Sequence, residues 1–96
     1  MDVVIIKSVI GEELVCEKTS DTHPLYPNCI TVSRPRVFQF QQGAEGRMEP
    51  TLVPWILLDP DNKSVPISAD YIASIIPAPV ALVKSYLTAV SGIALA

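Results

Sequence analysis

The stretch from 64 to 76, which reads SVPISADYIASII, constrains the fold more strongly than any other part of the chain. Apolar residues alternate with small or polar ones on both sides of a short corner formed by Ser68, Ala69 and Asp70. Such alternation is typical of β-strands with one buried face, and Asp suits a corner because its side chain can bond its own backbone. The stretch therefore predicts two short strands joined by a tight turn.

Other segments also have the composition of strands. They are rich in β-branched and aromatic residues and lie at 3–9, 13–19, 29–41 and 51–58. Pro35 and Pro54 interrupt the last two, and proline cannot donate to a sheet ladder. We therefore expect a bulge or an edge position at Pro35, where a bend would suit a strongly curved sheet. For the strand that contains Pro54 we expect an edge position or a subunit contact. Polar segments rich in proline or glycine predict loops or turns at 20–28, 42–50 and 59–63.

The periodicity changes from strand to helix after Pro77. Pro79 suits the first position of a helix, and Gly92 suits its C-cap. Between them the apolar residues recur at helical spacing, at Val80, Leu82, Val83, Tyr86, Leu87 and Val90. We expect a helix within 77–92 that covers the open side of the sheet, and we expect the apolar tail 93–96 to dock as well.

Composition limits the class of protein. At 96 residues the chain is expected to form a single domain, 1–96, with a sheet core at 1–76 and the helix at 77–92. Hydrophobic residues make up 49% of it, so we expect some of them to be covered by other copies of the chain. The net charge of −3 and the pI near 4.9 argue against a general nucleic-acid binder.

Cysteine usage and the length of apolar runs indicate the compartment. Cys16 and Cys29 do not form a disulfide framework and lack metal-site spacing, which favours free thiols in a reducing cytoplasm. The N-terminal residues carry no cleavable signal pattern. Prolines and polar residues keep the C-terminal apolar run below the ~18 residues of a membrane span. We expect a cytoplasmic protein without a membrane segment.

The corner stretch also resembles a known motif. The pattern V-x-I-x-x-D-x-I-x-x-I, from Val65 to Ile75, resembles the second half of the Sm/LSm motif, in which a strand ending V-x-I is followed by an Arg-Gly-Asp/Asn corner and then by I-V-x-I. Ser68 and Ala69 stand where that family has Arg and Gly. In Sm proteins this Arg holds RNA bases in the pore of a ring.

The resemblance extends over most of the chain, from about Val3 to Gly92. The phrases IGEELVCE, LVPWILL and SGIAL are similar to Sm-like proteins encoded by bacteriophages, including those that infect cyanobacteria. It implies a mainly β fold, with a strongly bent five-stranded antiparallel sheet (a small open barrel) and a C-terminal α-helix. It also implies a homo-oligomeric ring of roughly five to seven subunits, in which the exposed edge strand of one subunit pairs with the next. If the chain is phage-encoded, the compartment is the host cytoplasm.

The candidate RNA-binding residues come from two loops and one strand. In Sm proteins the loop before the third strand ends Asp-x-x-x-Asn, where the middle residue stacks on a base and the Asn reads uracil. The comparable loop here holds Asp21, His23, Tyr26 and Asn28, with about three inserted residues. Ser68 and Asp70 would line the pore from the corner. The alternative for Tyr26 is that it packs on its own neighbours.

Arginines offer a second possible contact with RNA. Arg34 and Arg36, together with Arg47, form the local basic cluster and could make a positive girdle around a ring. An ion pair with Glu45 or Glu49 is the structural alternative. Trp55 is either a core residue or an anchor at a subunit interface.

Catalytic chemistry is not expected. His23 is the single histidine of the sequence, and nothing in the sequence indicates a third group to orient it towards Cys29 or Ser20. The adjacent residues Glu12 and Glu13 would point to opposite faces of a strand. The run 59–63, DPDNK, lacks the Gly and the terminal Glu of a calcium loop and favours a turn. We expect no enzyme activity, no cofactor and no metal.

Two functions remain open at this point. The first is an Sm-like ring that binds single-stranded RNA, as a chaperone or modulator of transcripts. The second is an Sm-fold scaffold whose ring binds protein and has lost RNA recognition, which the acidic charge and the missing Arg-Gly corner favour.

Overall fold

The computed structural model describes residues 2–91, and over them the chain is mainly β with one C-terminal helix. Six strands are present in this part of the chain: β1 Val3–Ser8, β2 Glu13–Ser20, β3 Cys29–Gln42, β4 Met48–Pro54, β5 Val65–Ser68 and β6 Ile72–Pro77. Short 3₁₀ turns occupy Ala44–Gly46 and Ala69–Tyr71, and helix α1 spans Val80–Ser91. The predicted fold class, mainly β with a C-terminal helix, is therefore confirmed at this level.

All the strands belong to one antiparallel sheet. Its order is β4-β3-β2-β1-β6, and β5 pairs with the first residues of β3. Strands β4 and β5 thus lie end to end along the same side of β3, separated by the segment 55–64. The five strands that the resemblance implied were wrong: residues 2–91 contain six, and each of them overlaps a segment where the sequence pattern predicts a strand. Over the described residues the sheet is not closed.

The corner that first constrained the fold is formed as predicted. Ser68 caps the 3₁₀ turn, since its Oγ accepts a hydrogen bond from the Asp70 backbone N–H at 3.2 Å. The two strands do not pair with each other, because β5 lies on β3 and β6 lies on β1. The corner therefore carries the chain from one side of the bent sheet to the other.

Of the two alternatives for Pro35, a bulge or an edge position, the structure shows the bulge. Val15 pairs with Arg36 and Glu17 pairs with Ser33, so β3 holds one residue more than β2 across this interval. Arg34 takes a left-handed conformation there, with φ of 47°. A bulge increases local twist and bend, which curves the long strand β3 around the core.

The curvature gives the sheet two apolar faces, each with its own core. The inner core contains Val4, Ile6, Leu14, Cys16, Val32, Val65 and Ile67. The outer core lies between the sheet and α1 and contains Val3, Val15, Tyr86 and Val90. Burial in the inner core raises the pKa of the Cys16 thiol to about 12. Both faces of β1 and β2 are therefore covered within one chain, whereas large apolar side chains elsewhere, such as Phe40, Leu57 and Leu58, remain exposed.

Several element boundaries differ from expectation. The predicted loop 42–50 is shorter than expected, because β3 extends to residue 42 and β4 begins at residue 48. A hydrogen bond from Gly43 N–H to the Arg47 carbonyl (2.7 Å) closes the tight hairpin between them. The predicted strand 51–58 ends at residue 54. Helix α1 begins at Val80, one residue after Pro79, whose carbonyl accepts the first helical bond from Val83 at 2.9 Å.

The C-terminal predictions are only partly testable. The proposed cap Gly92 and the tail 93–96 lie outside the described residues. Within the described part of the chain, the helix is too short to cross a membrane.

Candidate nucleic-acid interface

The loop between β2 and β3 meets the β5–β6 corner and forms a pocket of about 400 Å³. Its walls include Asp21, His23, Tyr26 and Asn28 from the loop, Cys29 and Ile30 from the start of β3, and Ala69 from the corner. The loop and the corner are more than 40 positions apart in sequence, as the Asn28–Asp70 contact shows. The sheet topology brings them together because β5 pairs with the first residues of β3.

Asn28 joins the two sides of the pocket. Its carbonyl accepts a hydrogen bond from the Ala69 N–H at 2.8 Å, and its Nδ2 donates to Asp70 Oδ2 at 3.4 Å. The Asn28 backbone is left-handed, with φ of 60°, a conformation that Asn tolerates better than most residues. These contacts leave Asn28 Oδ1 available as an acceptor.

His23 is held by both ring nitrogens. Nδ1 accepts from the Leu25 backbone N–H at 3.1 Å, so the proton of the neutral ring lies on Nε2, which donates to the Ser64 carbonyl at 3.1 Å. The imidazole therefore orders the loop and ties it to the segment before β5. A role as catalytic base would require breaking the Leu25 bond.

Tyr26 is the exposed aromatic side chain of the pocket. Its ring lies 5.2 Å from that of His23, tilted by 49°, and 53% of the residue remains accessible. Part of the Tyr26 ring thus packs on its neighbour His23, which was the alternative to RNA contact. The accessible part can still stack on a planar ligand.

The base of the loop is fixed by threonines and an ion pair. Thr31 Oγ1 donates to the Thr22 carbonyl at 2.6 Å, and Thr22 N–H donates to Ser20 Oγ at 3.1 Å. Lys18 forms an ion pair with Asp21, and this hydrogen bond raises the pKa of Lys18. The Asp21 carboxylate is therefore already matched by a cation.

The predicted arginines lie elsewhere. Arg36 is only 4% exposed, and it donates from Nη1 to the Pro60 carbonyl at 2.6 Å and pairs through Nη2 with Asp61 at 3.4 Å. Arg34 sits at the bulge, where its N–H donates to the Asn62 carbonyl at 2.8 Å. The partner of Arg36 is Asp61, not Glu45 or Glu49. Both arginines fasten the β4–β5 segment to β3, and neither lines the pocket.

A second polar cluster supports the fold beside Trp55. Its Nε1 donates to Glu12 Oε1 at 3.2 Å, and the Tyr71 hydroxyl donates to the same oxygen. Burial, followed by the bond to Glu12, raises the pKa of Tyr71. Trp55 is partly buried and also packs against the inner core.

The structure thus gathers part of the predicted site. His23, Tyr26 and Asn28 line one pocket, and Ser68 and Asp70 form the adjoining corner, whereas Arg34 and Arg36 lie apart from it. Sequence reasoning missed Ala69 and Ile30 as walls of the pocket. The signal that could have identified them is their position in the sequence next to Asp70 and Cys29.

The sequence was also compared with known proteins. Neither the models of protein families nor the curated proteins gave a match.

Proposed function

We propose that the chain is an Sm-like protein, of the kind encoded by bacteriophages, that assembles into a homo-oligomeric ring and binds single-stranded RNA in the host cytoplasm. The observation that carries the proposal is the pocket in which Asn28 joins the β2–β3 loop to the β5–β6 corner. An exposed aromatic ring, an amide and a carboxylate are brought together there from two loops.

Base stacking would supply the main attraction. Stacking on an aromatic side chain contributes about 1–3 kcal/mol per base, and Tyr26 is accessible for it. The pocket-lining residues that the structure describes include neither Lys nor Arg. Binding would therefore depend on bases and only weakly on phosphates.

The edges of the sheet support ring assembly. Strands β4 and β6 are the ends of the strand order, so each leaves one row of backbone groups without a ladder partner among residues 2–91. Edge strands of this kind template pairing with another chain. In a ring, each pocket would be repeated once per subunit, which would let one RNA strand contact several pockets.

Filter binding with oligo-U and oligo-A at several salt concentrations tests the RNA function. We expect micromolar binding at low salt with a shallow salt dependence, since few phosphates would be neutralised. Tyr26→Ala should weaken binding about tenfold, while Tyr26→Phe should retain it because the ring remains. Phe40→Ala is a matched control, since Phe40 is an exposed aromatic residue outside the pocket. Absence of binding at low salt would remove the RNA function.

One observation favours the scaffold function as the second candidate. The β3–β4 hairpin presents an apolar face, because Phe38 pairs with Leu52, Phe40 with Pro50 and Gln42 with Met48. Phe40 and Met48 are 67% and 61% exposed. This face continues into a groove of about 580 Å³ beside α1. A ring that assembles but fails to bind any oligonucleotide would support this function instead.

A further inference from the structure

Two hydrogen-bond acceptors lie at the pocket and its adjoining corner: Asn28 Oδ1 lines the pocket, and the Asp70 carboxylate projects from the corner beside Ala69. Asn28 Oδ1 is available, whereas Asn28 Nδ2 is already directed at Asp70. Both ring nitrogens of His23 are bonded within the chain. A ligand that bonds both of these acceptors must present donors to them.

Asp70 supplies the strongest of these acceptors. Asp70 is exposed, and within residues 2–91 its carboxylate meets only the Asn28 amide, at the long distance of 3.4 Å. None of the ion pairs within that range involves it, in contrast to Asp21, which is paired with Lys18. One carboxylate oxygen of Asp70 thus has no partner there, and the other is weakly bonded. The Ser68 cap on the Asp70 N–H fixes the backbone from which the carboxylate projects.

Among the four RNA bases, one has a matching edge. Guanine presents two adjacent donors, N1–H and N2–H, which can bond both oxygens of a carboxylate. Uracil places a single donor between two carbonyl oxygens, which a carboxylate would repel. Adenine and cytosine each place one amino donor next to a ring-nitrogen acceptor, so they can satisfy only one carboxylate oxygen.

We infer that the pocket selects guanine in single-stranded RNA, with Asp70 accepting from N1–H and N2–H of a base stacked on Tyr26. The inference rests on the proposed function and deepens it by naming the base. The same acidic edge disfavours phosphate, which agrees with the position of Arg34 and Arg36 outside the pocket.

The test uses the full chain and fluorescein-labelled RNA hexamers, measured by fluorescence anisotropy. The probes are UUGUUU, UUUUUU and a hexamer with inosine in place of guanosine, because inosine keeps N1–H and lacks the N2 amino group. A single guanosine avoids quadruplex formation. We expect UUGUUU to bind at least about fivefold more tightly than either of the other two. Free guanosine and guanosine monophosphate, used as competitors, should be weaker than the hexamer.

Variants separate Asp70 from general charge effects. Asp70→Asn preserves the shape of the side chain but replaces one acceptor by a donor. The affinity for the guanosine hexamer should therefore fall to within about twofold of the affinity for the uridine hexamer. Asp59→Asn changes an exposed carboxylate that also accepts from an Asn amide, Asn62 Nδ2 at 3.0 Å, but lies outside the pocket, so it should keep the preference. Circular dichroism of both variants checks the fold.

The outcomes distinguish the inference from the function it rests on. If all hexamers bind equally, or uridine binds best, the guanine assignment is overturned while RNA binding stands. If Asp70→Asn keeps the guanosine preference, the assigned residue is wrong. If no hexamer binds, both fall. If free guanosine competes as well as the hexamer, the ligand is a nucleoside and the assignment to RNA is overturned.

Discussion

Asn28 has a backbone role and a side-chain role, and they can be separated experimentally. Its left-handed backbone (φ 60°) directs the carbonyl to Ala69, while its amide faces Asp70. Asn28→Ala should lose about 1 kcal/mol of stability, because Ala keeps the Cβ but lacks the polar side chain that lets Asn adopt the left-handed conformation, whereas Asn28→Gly should lose less because Gly has no Cβ. Both should weaken RNA binding equally if the amide is what matters. Urea denaturation and filter binding measure the two effects, and normal affinity of the Gly variant would place recognition elsewhere.

Tyr86 fastens the helix to the bulge. The residue is 1% exposed, and its hydroxyl donates to the carbonyls of Ser33 at 2.9 Å and Arg34 at 3.0 Å. Bulge residues lack some ladder partners, so this hydroxyl satisfies acceptors that the sheet leaves open. Tyr86→Phe should therefore cost about 1–2 kcal/mol of unfolding free energy at neutral pH, although the ring stays in place.

The same residue predicts a pH dependence. Burial raises the pKa of Tyr86 to about 12, above the ordinary value near 10. The folded state then keeps a proton that the unfolded chain loses, so this contribution to stability is complete below pH 10 and disappears between pH 10 and 12. The unfolding free energy of Tyr86→Phe should fall less steeply over this interval than that of the unmodified chain.

The buried thiol must be controlled for in that experiment. Because the pKa of Cys16 is also raised to about 12, its contribution begins to fall near pH 9. Measuring Tyr86→Phe in a Cys16→Ala background isolates the phenol. Identical slopes with and without the phenol would show that Tyr86 does not control alkaline stability.

At the scale of elements, the apolar pattern of the sequence predicted strands and the helix wherever buried residues recur at regular spacing. Alternation located the strands around Val65 and Ile72, and helical spacing located α1. The pattern failed at the β3–β4 hairpin, because its strands are exposed at the tip and carry polar residues such as Glu49. The residues there are polar because these parts of the strands are exposed to solvent.

The candidate site was predictable in its loops but not in its arginines. The polar and aromatic residues of the loop that ends at Asn28, and the corner that contains Asp70, were recognisable from the sequence. The family resemblance then predicted that both belong to one site. Arg36 could not be assigned, because its partners Pro60 and Asp61 lie 24 and 25 positions away. Local sequence spacing does not indicate such a contact.

The contact made by Arg36 yields a prediction about the β4–β5 segment. Arg36→Ala removes a buried stem and the bond to the Pro60 carbonyl, and should cost about 2–3 kcal/mol. Asp61→Asn should cost less than about 1 kcal/mol, because the Asp61 side chain is 73% exposed. Chemical denaturation of both variants tests this order. Equal losses would mean that the ion pair, and not the carbonyl contact, holds the segment.

At the scale of the whole molecule, prolines shape the open edges of the sheet. Two backbone bonds, from Trp55 N–H to the Pro35 carbonyl and from Gly43 N–H to the Arg47 carbonyl, fix the hydrogen-bonding pattern between β3 and β4. In this pattern the odd-numbered residues of β4 direct their backbone N–H and C=O groups to β3, and the even-numbered residues direct theirs to the open edge. Pro50 and Pro54 therefore face the open edge, where they remove two donors and leave that of Leu52 between them. Their position agrees with the edge location that Pro54 predicted.

Strand β6 presents a similarly sparse edge. The Ala78 N–H donates to the Val3 carbonyl at 3.0 Å. In this register the backbone groups of Ile76 bond β1, and those of Ile75 point to the open edge. The next outward position is Pro77, which has no N–H. The N–H of Ile75 is thus the central donor available to a neighbouring subunit on this edge.

If the chain forms the proposed ring, this geometry predicts how assembly can be blocked without unfolding the chain. Ile75→Pro removes an outward N–H that has no role in pairing with β1, so the monomer should fold while the oligomer dissociates. Ile75→Ala removes the side chain, retains the N–H, and should still assemble. Ile76→Pro deletes a donor to β1 and should destabilise the fold itself. Light scattering at several concentrations, with circular dichroism as the check on folding, measures all three. A folded Ile75→Pro variant that still forms the parent oligomer would show that this edge does not carry the assembly, since a subunit contact through β6 requires that N–H.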